Sequence, residues 1–254
     1  MFNKIDILNL ENKKKTPNLT LEWLHDDHKS NWIKTKKELG TDWRYFNSQD
    51  LNYRLNSHGY RTKELQEFDW KECVLFLGCS HIFGQGVHNK HTIPNIYEQI
   101  TNNTTINMGV SGASVDTLHH NTHALIQSNY IPKKVIIMFP CPSRYLIYKD
   151  DKIQQLGHWS GNDIIEFWER YVYYESNYMT KSYLMQQSII NTWKLHNVEV
   201  HCFDRPQGID TTIPIKSWPT LEEEYYVDKG RDGEHAGPDT NKNWTNFIIK
   251  DIND

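Results

Sequence analysis

Residues 73–78, Cys-Val-Leu-Phe-Leu-Gly, constrain this chain more than any other stretch. Five apolar residues in a row that end at a glycine read as a buried parallel strand, and strands of that kind are covered on both faces. The strand stops at Gly78, and Ser80 follows, with glycines at 84 and 86. Glycines there allow tight turning and a close approach of backbone to a ligand. A residue just past the carboxyl end of a central strand lies where open α/β sheets place their ligands. Ser80 is therefore placed to serve as a nucleophile.

A serine hydroxyl is a weak nucleophile until an adjacent base takes its proton. The candidate base lies near the other end of the chain, in Arg231-Asp232-Gly233-Glu234-His235-Ala236-Gly237-Pro238. Asp232 precedes His235 by three residues, just before a predicted final helix. A carboxylate there can accept the imidazole Nδ1–H, fix the tautomer and stabilise the imidazolium that forms.

These residues resemble the SGNH (GDSL-type) hydrolases. Their first block, Gly-Asp-Ser-x-x-x-Gly, is similar to Gly78-Cys79-Ser80-His81-Ile82-Phe83-Gly84, with Cys79 in place of the aspartate. A second block centred on a glycine is matched by Asn107-Met108-Gly109, followed by Val110-Ser111-Gly112. The last block, Asp-x-x-His, is matched by Asp232 and His235. The third block, Gly-x-Asn-Asp, has no counterpart, because the corresponding strand ends in Phe139-Pro140-Cys141-Pro142-Ser143-Arg144. The resemblance covers roughly residues 70 to 252. It implies a three-layer αβα sandwich around a mostly parallel, flavodoxin-like sheet, with Ser80, His235 and Asp232 as catalytic residues and no cofactor. It also implies an oxyanion held by the N–H groups of Ser80 and Gly109, with His81 lining the site. The family's third-block asparagine supplies a further donor; Arg144 or Asn107 are the candidates to replace it. The activity implied is hydrolysis of an O-acyl (acetyl) ester on a carbohydrate. A non-catalytic binding or assembly protein, and an O-acyltransferase using the same three residues, stand as alternatives.

The rest of the chain fits one α/β domain, residues 70–254, behind an N-terminal extension, residues 1–69. The extension opens on a polar arm with a lysine run at Lys13–Lys15. From Leu19 to Leu39 the spacing of Leu21, Trp23, Leu24, Trp32 and Ile33 predicts one or two short amphipathic helices ending near Gly40. Leu55 to Thr62 carries turn chemistry, and Arg61 there is read either as pairing with a carboxylate or as binding an anionic substrate group. After the Ser80 strand, helices are predicted over 92–100 and 113–128, and strands over 104–108, 134–139 and 198–203. Strand, helix, strand, helix, strand is the rhythm of a parallel sheet with right-handed crossovers. A hairpin is inserted over 145–156, two helices are expected within 163–197, and the Pro-punctuated stretch 204–230 has the length of a functional lid. Trp159, Trp168, Tyr171 and Trp218 can stack on sugar rings or pack in the core.

Charge excludes little but removes one partner class. With 28 basic against 32 acidic residues the net charge is -4, which gives no reason to expect nucleic acid. No apolar run approaches the ~20 residues of a membrane span, and the first residues lack a signal pattern. That points to a cytoplasmic protein with reduced thiols; release, or association with a virus particle, stays open. The partner expected is a small-molecule or carbohydrate ester. No cysteine pair has zinc spacing, and Cys79 is read as a small buried hydrophobe, with thiol chemistry as the competing idea. His119 and His123 share a helix face but have no Glu in a His-Glu-x-x-His pattern, so no metal is expected.

Overall fold

In a computed structural model of the chain, residues 7, 19–24, 27–47, 50–149, 152–157, 175–204 and 225–254 are described. In chain order the elements are β1 (Leu19–Leu21), α1 (Lys29–Leu39), β2 (Tyr53–Leu55), β3 (Val74–Gly78), α2 (Ser80–Phe83) and α3 (Ile93–Thr101). They continue with β4 (Thr105–Gly109), α4 (Val115–Gln127), β5 (Lys134–Phe139) and the hairpin strands β6 (Tyr145–Lys149) and β7 (Lys152–Leu156). The chain ends with α5 (Glu175–Leu195), β8 (Glu199–Asp204) and α6 (Pro238–Asn253).

The four long apolar runs form one parallel sheet in the order β4-β3-β5-β8. The chain leaves β3 for one neighbour and returns past it to the other, so β3 ends at a topological switch point. Alternate residues face opposite ways along each strand. Leu75, Leu77, Ile106, Met108, Val135 and Ile137 pack under α4 and α5. Val74, Phe76, Ile136, Met138 and Phe203 pack under α3 and α6. The sheet is thus the middle of three layers, as expected from its unbroken apolar strands.

Local chemistry sets the helix ends. Thr92 caps α3 by accepting from the Asn95 N–H, and Pro94 occupies its first turn, where a missing N–H costs nothing. Ser114 and Thr117 form a reciprocal cap at the start of α4. Helix α6 begins at Pro238, as predicted, and the 145–156 hairpin is present.

Two expectations change. Residues 19–21 are not helical: β1 pairs with β2 through Leu19↔Leu55 and Leu21↔Tyr53, and only 29–39 keeps the helical reading. Pairing with a distant strand overrides the local periodicity. Of the helices expected within 163–197, α5 covers Glu175–Leu195; residues 158–174, including Trp159, Trp168 and Tyr171, lie outside the described residues. So do 205–224, with Trp218 and most of the expected lid.

The N-terminal segment has its own apolar cluster, in which Trp32, Trp43, Tyr45, Leu51, Tyr53 and Leu55 gather around Phe83. Phe83 belongs to α2, the short helix that begins at Ser80. The cluster therefore sits against the back of the serine loop.

Candidate active site

Ser80 follows β3 directly and opens α2, with only 5% of its surface exposed. Its carbonyl accepts from Gly84 N–H at 2.9 Å and Gln85 N–H at 3.0 Å, closing the turn tightly. Arg61 binds the same turn from below, donating to the carbonyls of Gly84 at 2.6 Å and Val87 at 2.8 Å. The carboxylate reading of Arg61 is corrected by this: among the described residues its hydrogen-bond partners are backbone carbonyls. Burial lowers its pKa to about 10, which still leaves it charged near neutrality.

The opposite wall is a small hairpin. Lys229 and Ala236 form a bridge, and the Gly230 N–H donates to His235 O at 2.8 Å. Asp228 ties the hairpin to α6, accepting from Thr240 N–H at 2.8 Å and its hydroxyl at 2.9 Å. Within the turn, Asp232 Oδ1 accepts the N–H groups of Glu234 at 3.1 Å and His235 at 3.0 Å. One carboxylate oxygen thus shapes the turn, and the three-residue spacing leaves the other to meet the imidazole. Asp232 Oδ2 lies 2.5 Å from His235 Nδ1.

The two walls meet at 2.8 Å, between His235 Nε2 and Ser80 Oγ, across 155 residues of sequence. An ionised carboxylate only accepts, so Nδ1 carries the imidazole proton and Nε2 is left to accept from the Ser80 hydroxyl. Burial is the largest influence on Asp232 and favours its protonated form. The hydrogen bond and charge of His235 and the two backbone N–H groups outweigh it, holding the carboxyl below its usual range.

His81 lies beside this pair, its ring centroid 5.3 Å from that of His235 and 5.2 Å from Trp244. It backs the imidazole against α6. Gly109 behaves differently from expectation. Its N–H donates to Asn107 Oδ1 at 3.0 Å, and an added Cβ would stand 2.2 Å from Phe83 N. Gly109 is a glycine so that β4 can touch the backbone of α2, and its N–H is already engaged. Asn107 is engaged as well, donating to Ile82 O at 2.9 Å. Arg144 is buried at the start of β6 and reaches the Ala113 carbonyl at 3.4 Å. Gly112 lies three residues beyond Gly109. At φ 73° it takes the third place of the turn closed by Ala113 N–H to Val110 O at 3.1 Å. Among the described residues, no acceptor engages the N–H of Ser80 or of Gly112.

Cys79 is fully buried in the core cluster under α4 and α5, which removes the thiol alternative. His119 and His123 do meet, Nε2 to Nε2 at 3.2 Å, with Ser188 Oγ 3.0 Å from His119. Among the described residues no group of three or more His, Cys, Asp or Glu is arranged to hold a metal, and no helix is long and apolar enough to cross a membrane.

Sequence reasoning missed Asp27, Thr35 and Tyr53, which hold the His235 hairpin and the Ser80 loop from the N-terminal segment. Thr35 Oγ1 donates to Asp232 O at 3.3 Å, and Asp27 pairs with the fully buried Arg231 at 2.7 Å. The adjacency of Arg231 to Asp232 was the one available signal.

No family model and no curated protein matches the sequence. Solved structures are similar at low identity. A lipolytic protein of the G-D-S-L family from Desulfitobacterium hafniense aligns at 10% identity and a TM-score of 0.45, over 71% of this chain and 99% of its own. An acetyl xylan esterase from Butyrivibrio proteoclasticus aligns at 11% and 0.46, over 73% and 64%. A carbohydrate esterase family 2 enzyme from Corynascus thermopiles aligns at 11% and 0.41, over 72% and 65%. This chain thus spans just under two thirds of the length of the two carbohydrate esterases.

Proposed function

We propose that the protein is a serine-dependent ester hydrolase. The observation that carries this reading is the continuous chain from Ser80 Oγ through His235 to Asp232, with contacts of 2.8 Å and 2.5 Å.

In the proposed reaction Ser80 Oγ attacks the ester carbonyl as His235 Nε2 takes the hydroxyl proton. Asp232, kept ionised, stabilises the imidazolium and stays unprotonated itself. The tetrahedral oxyanion is received by the N–H groups of Ser80 and Gly112, in place of the Gly109 expected from the sequence. One such donor is typically worth ~2.7–4 kcal/mol. His235 returns the proton to the departing alcohol, leaving an acyl-serine. Water then enters, His235 takes its proton, and the acid departs as Ser80 regains its hydrogen. The acyl donor is proposed to be a carbohydrate bearing an O-acetyl group, which rests on the resemblance of the sequence blocks.

Hydrolysis of p-nitrophenyl acetate by the purified chain tests the reading. Ser80→Ala is expected to lower turnover by about 10⁴-fold or more. Equal rates for wild type and variant would refute it. One observation favours a protein that only binds: β5 ends at Phe139, and in the turn that follows Cys141 Sγ meets Ser143 Oγ at 3.1 Å, with no amide offered where the family places one. A wild type that binds acetylated sugars without releasing acetate would decide for that reading.

A further inference from the structure

Ser80 and His235 stand on separate loops, and something must fix the gap between them. Beneath the pair runs a closed ring of hydrogen bonds. Gly86, in the Ser80 loop, donates its N–H to Tyr53 Oη at 2.9 Å. The Tyr53 hydroxyl donates to Asp27 Oδ2. Arg231 grips the same carboxylate in a fork, Nε to Oδ1 at 3.0 Å and a terminal nitrogen to Oδ2 at 2.7 Å. The Arg231 N–H then donates to Gly86 O at 2.7 Å, which closes the ring.

Asp27 and Arg231 are fully buried side chains, and Tyr53 has no exposed surface. Burial, and next the Asp27 carboxylate, push the Tyr53 phenol well above its ordinary range, so it keeps the proton it donates. The rest of the Arg231 guanidinium is held by Leu51 O at 2.9 Å and Glu22 O at 2.5 Å, and it lies 4.0 Å above the Trp23 ring. Gly86 has φ 78°, and a Cβ there would come 3.0 Å from Asp232 Oδ1. The ring therefore joins the backbone of the serine loop to the residue immediately before Asp232, in contact with the carboxylate that orients His235.

A buried ion pair is seldom the most stable way to fill a core, since apolar residues of similar volume often do as well or better. Directional bonds do something apolar packing does not, which is to fix a distance. We infer that Asp27, Tyr53 and Arg231 are positioning residues that set the Ser80–His235 separation. The N-terminal segment is then part of the site's machinery although none of its described residues reaches the reacting atoms. This inference rests on the esterase reading for its kinetic consequence.

The test uses the full chain with Tyr53→Phe, Asp27→Asn and, as a control, Arg44→Ala, whose exposed partner Asp239 joins the same two segments outside the ring. Kinetics on p-nitrophenyl acetate are read at a temperature where circular dichroism shows each variant folded. Tyr53→Phe deletes one hydroxyl and is the variant on which the result depends if Asp27→Asn fails to fold. The account expects kcat to fall about 10- to 100-fold with KM within about twofold, since an ångström of misplacement can cost on the order of 10²-fold. Arg44→Ala should match wild type. A second readout needs no turnover: the downfield His235 Nδ1 proton in the NMR spectrum should broaden in Tyr53→Phe as water gains access. A folded Tyr53→Phe with wild-type kcat and an unchanged proton line overturns the inference. If wild type itself shows no turnover, the esterase reading fails alone, and the proton line still decides whether the ring positions His235.

Discussion

Ser80 rests on β3, a strand buried on both faces, whereas His235 rests on a hairpin that distant segments hold through polar contacts. On the serine side the support is apolar burial along Val74, Leu75, Phe76 and Leu77, which is strong and without direction. On the histidine side it is the Asp228 bonds to α6, the Arg231–Asp27 pair and Thr35. Such bonds are sensitive to the loss of one partner. The difference suggests that one wall supplies rigidity and the other supplies registration, and that damage to each should have a different signature.

The largest expected effect is on the orienting carboxylate. Asp232→Asn should lower kcat by about 10⁴-fold, because the amide no longer selects the Nδ1–H tautomer. Steady-state kinetics on p-nitrophenyl acetate check this, and a loss below tenfold would separate the hairpin from the chemistry.

Next come paired deletions, one in each wall. Phe76→Ala should destabilise by about 3–5 kcal/mol through loss of burial and the cavity left behind. Asp27→Ala should cost a similar 3–5 kcal/mol by stranding the Arg231 charge. Thermal melts should thus look alike. Activity measured well below both melting points should not: Phe76→Ala should retain most of its kcat and Asp27→Ala should lose it. Equal losses in both would erase the distinction between the walls.

A smaller effect concerns acid, away from the site. Burial lowers the pKa of His119 and, more simply, of His123, and each imidazole also feels a neighbouring histidine. The unfolded chain therefore binds more protons than the folded one below the ordinary histidine value near ~6.5. Stability should be full above that pH and decline as pH falls through the depressed folded values. Urea melts across this window should show the decline, and His123→Gln should flatten it. A wild-type profile that stays level would contradict the burial of the pair. The smallest effect is expected for Arg44→Ala, whose exposed contact with Asp239 is worth ~0–1 kcal/mol.

The sheet was legible because a strand covered on both faces has to be apolar throughout, as β3 and β5 are. The Asp232–His235 partnership was legible because it is local, a turn whose own backbone dictates the spacing. Gly109 misled: its N–H was free on paper, and only the rotamer of Asn107, fixed by Ile82 O, shows that it is taken. Arg61 misled because its partners are carbonyls, which carry no signature in sequence. Asp27 and Tyr53 were silent, and Arg231 was marked only by its place beside Asp232, since each is an ordinary polar residue with a partner far along the chain, as Asp27 lies 204 residues from Arg231.

The central claim is that the hydroxyl of Ser80 is activated by His235, and covalent capture tests it most directly. Intact-mass analysis after treatment with a fluorophosphonate should show one adduct per chain, mapped to Ser80, absent from Ser80→Ala and strongly slowed in His235→Ala. An unlabelled wild type, or an adduct on any other residue, would contradict the account.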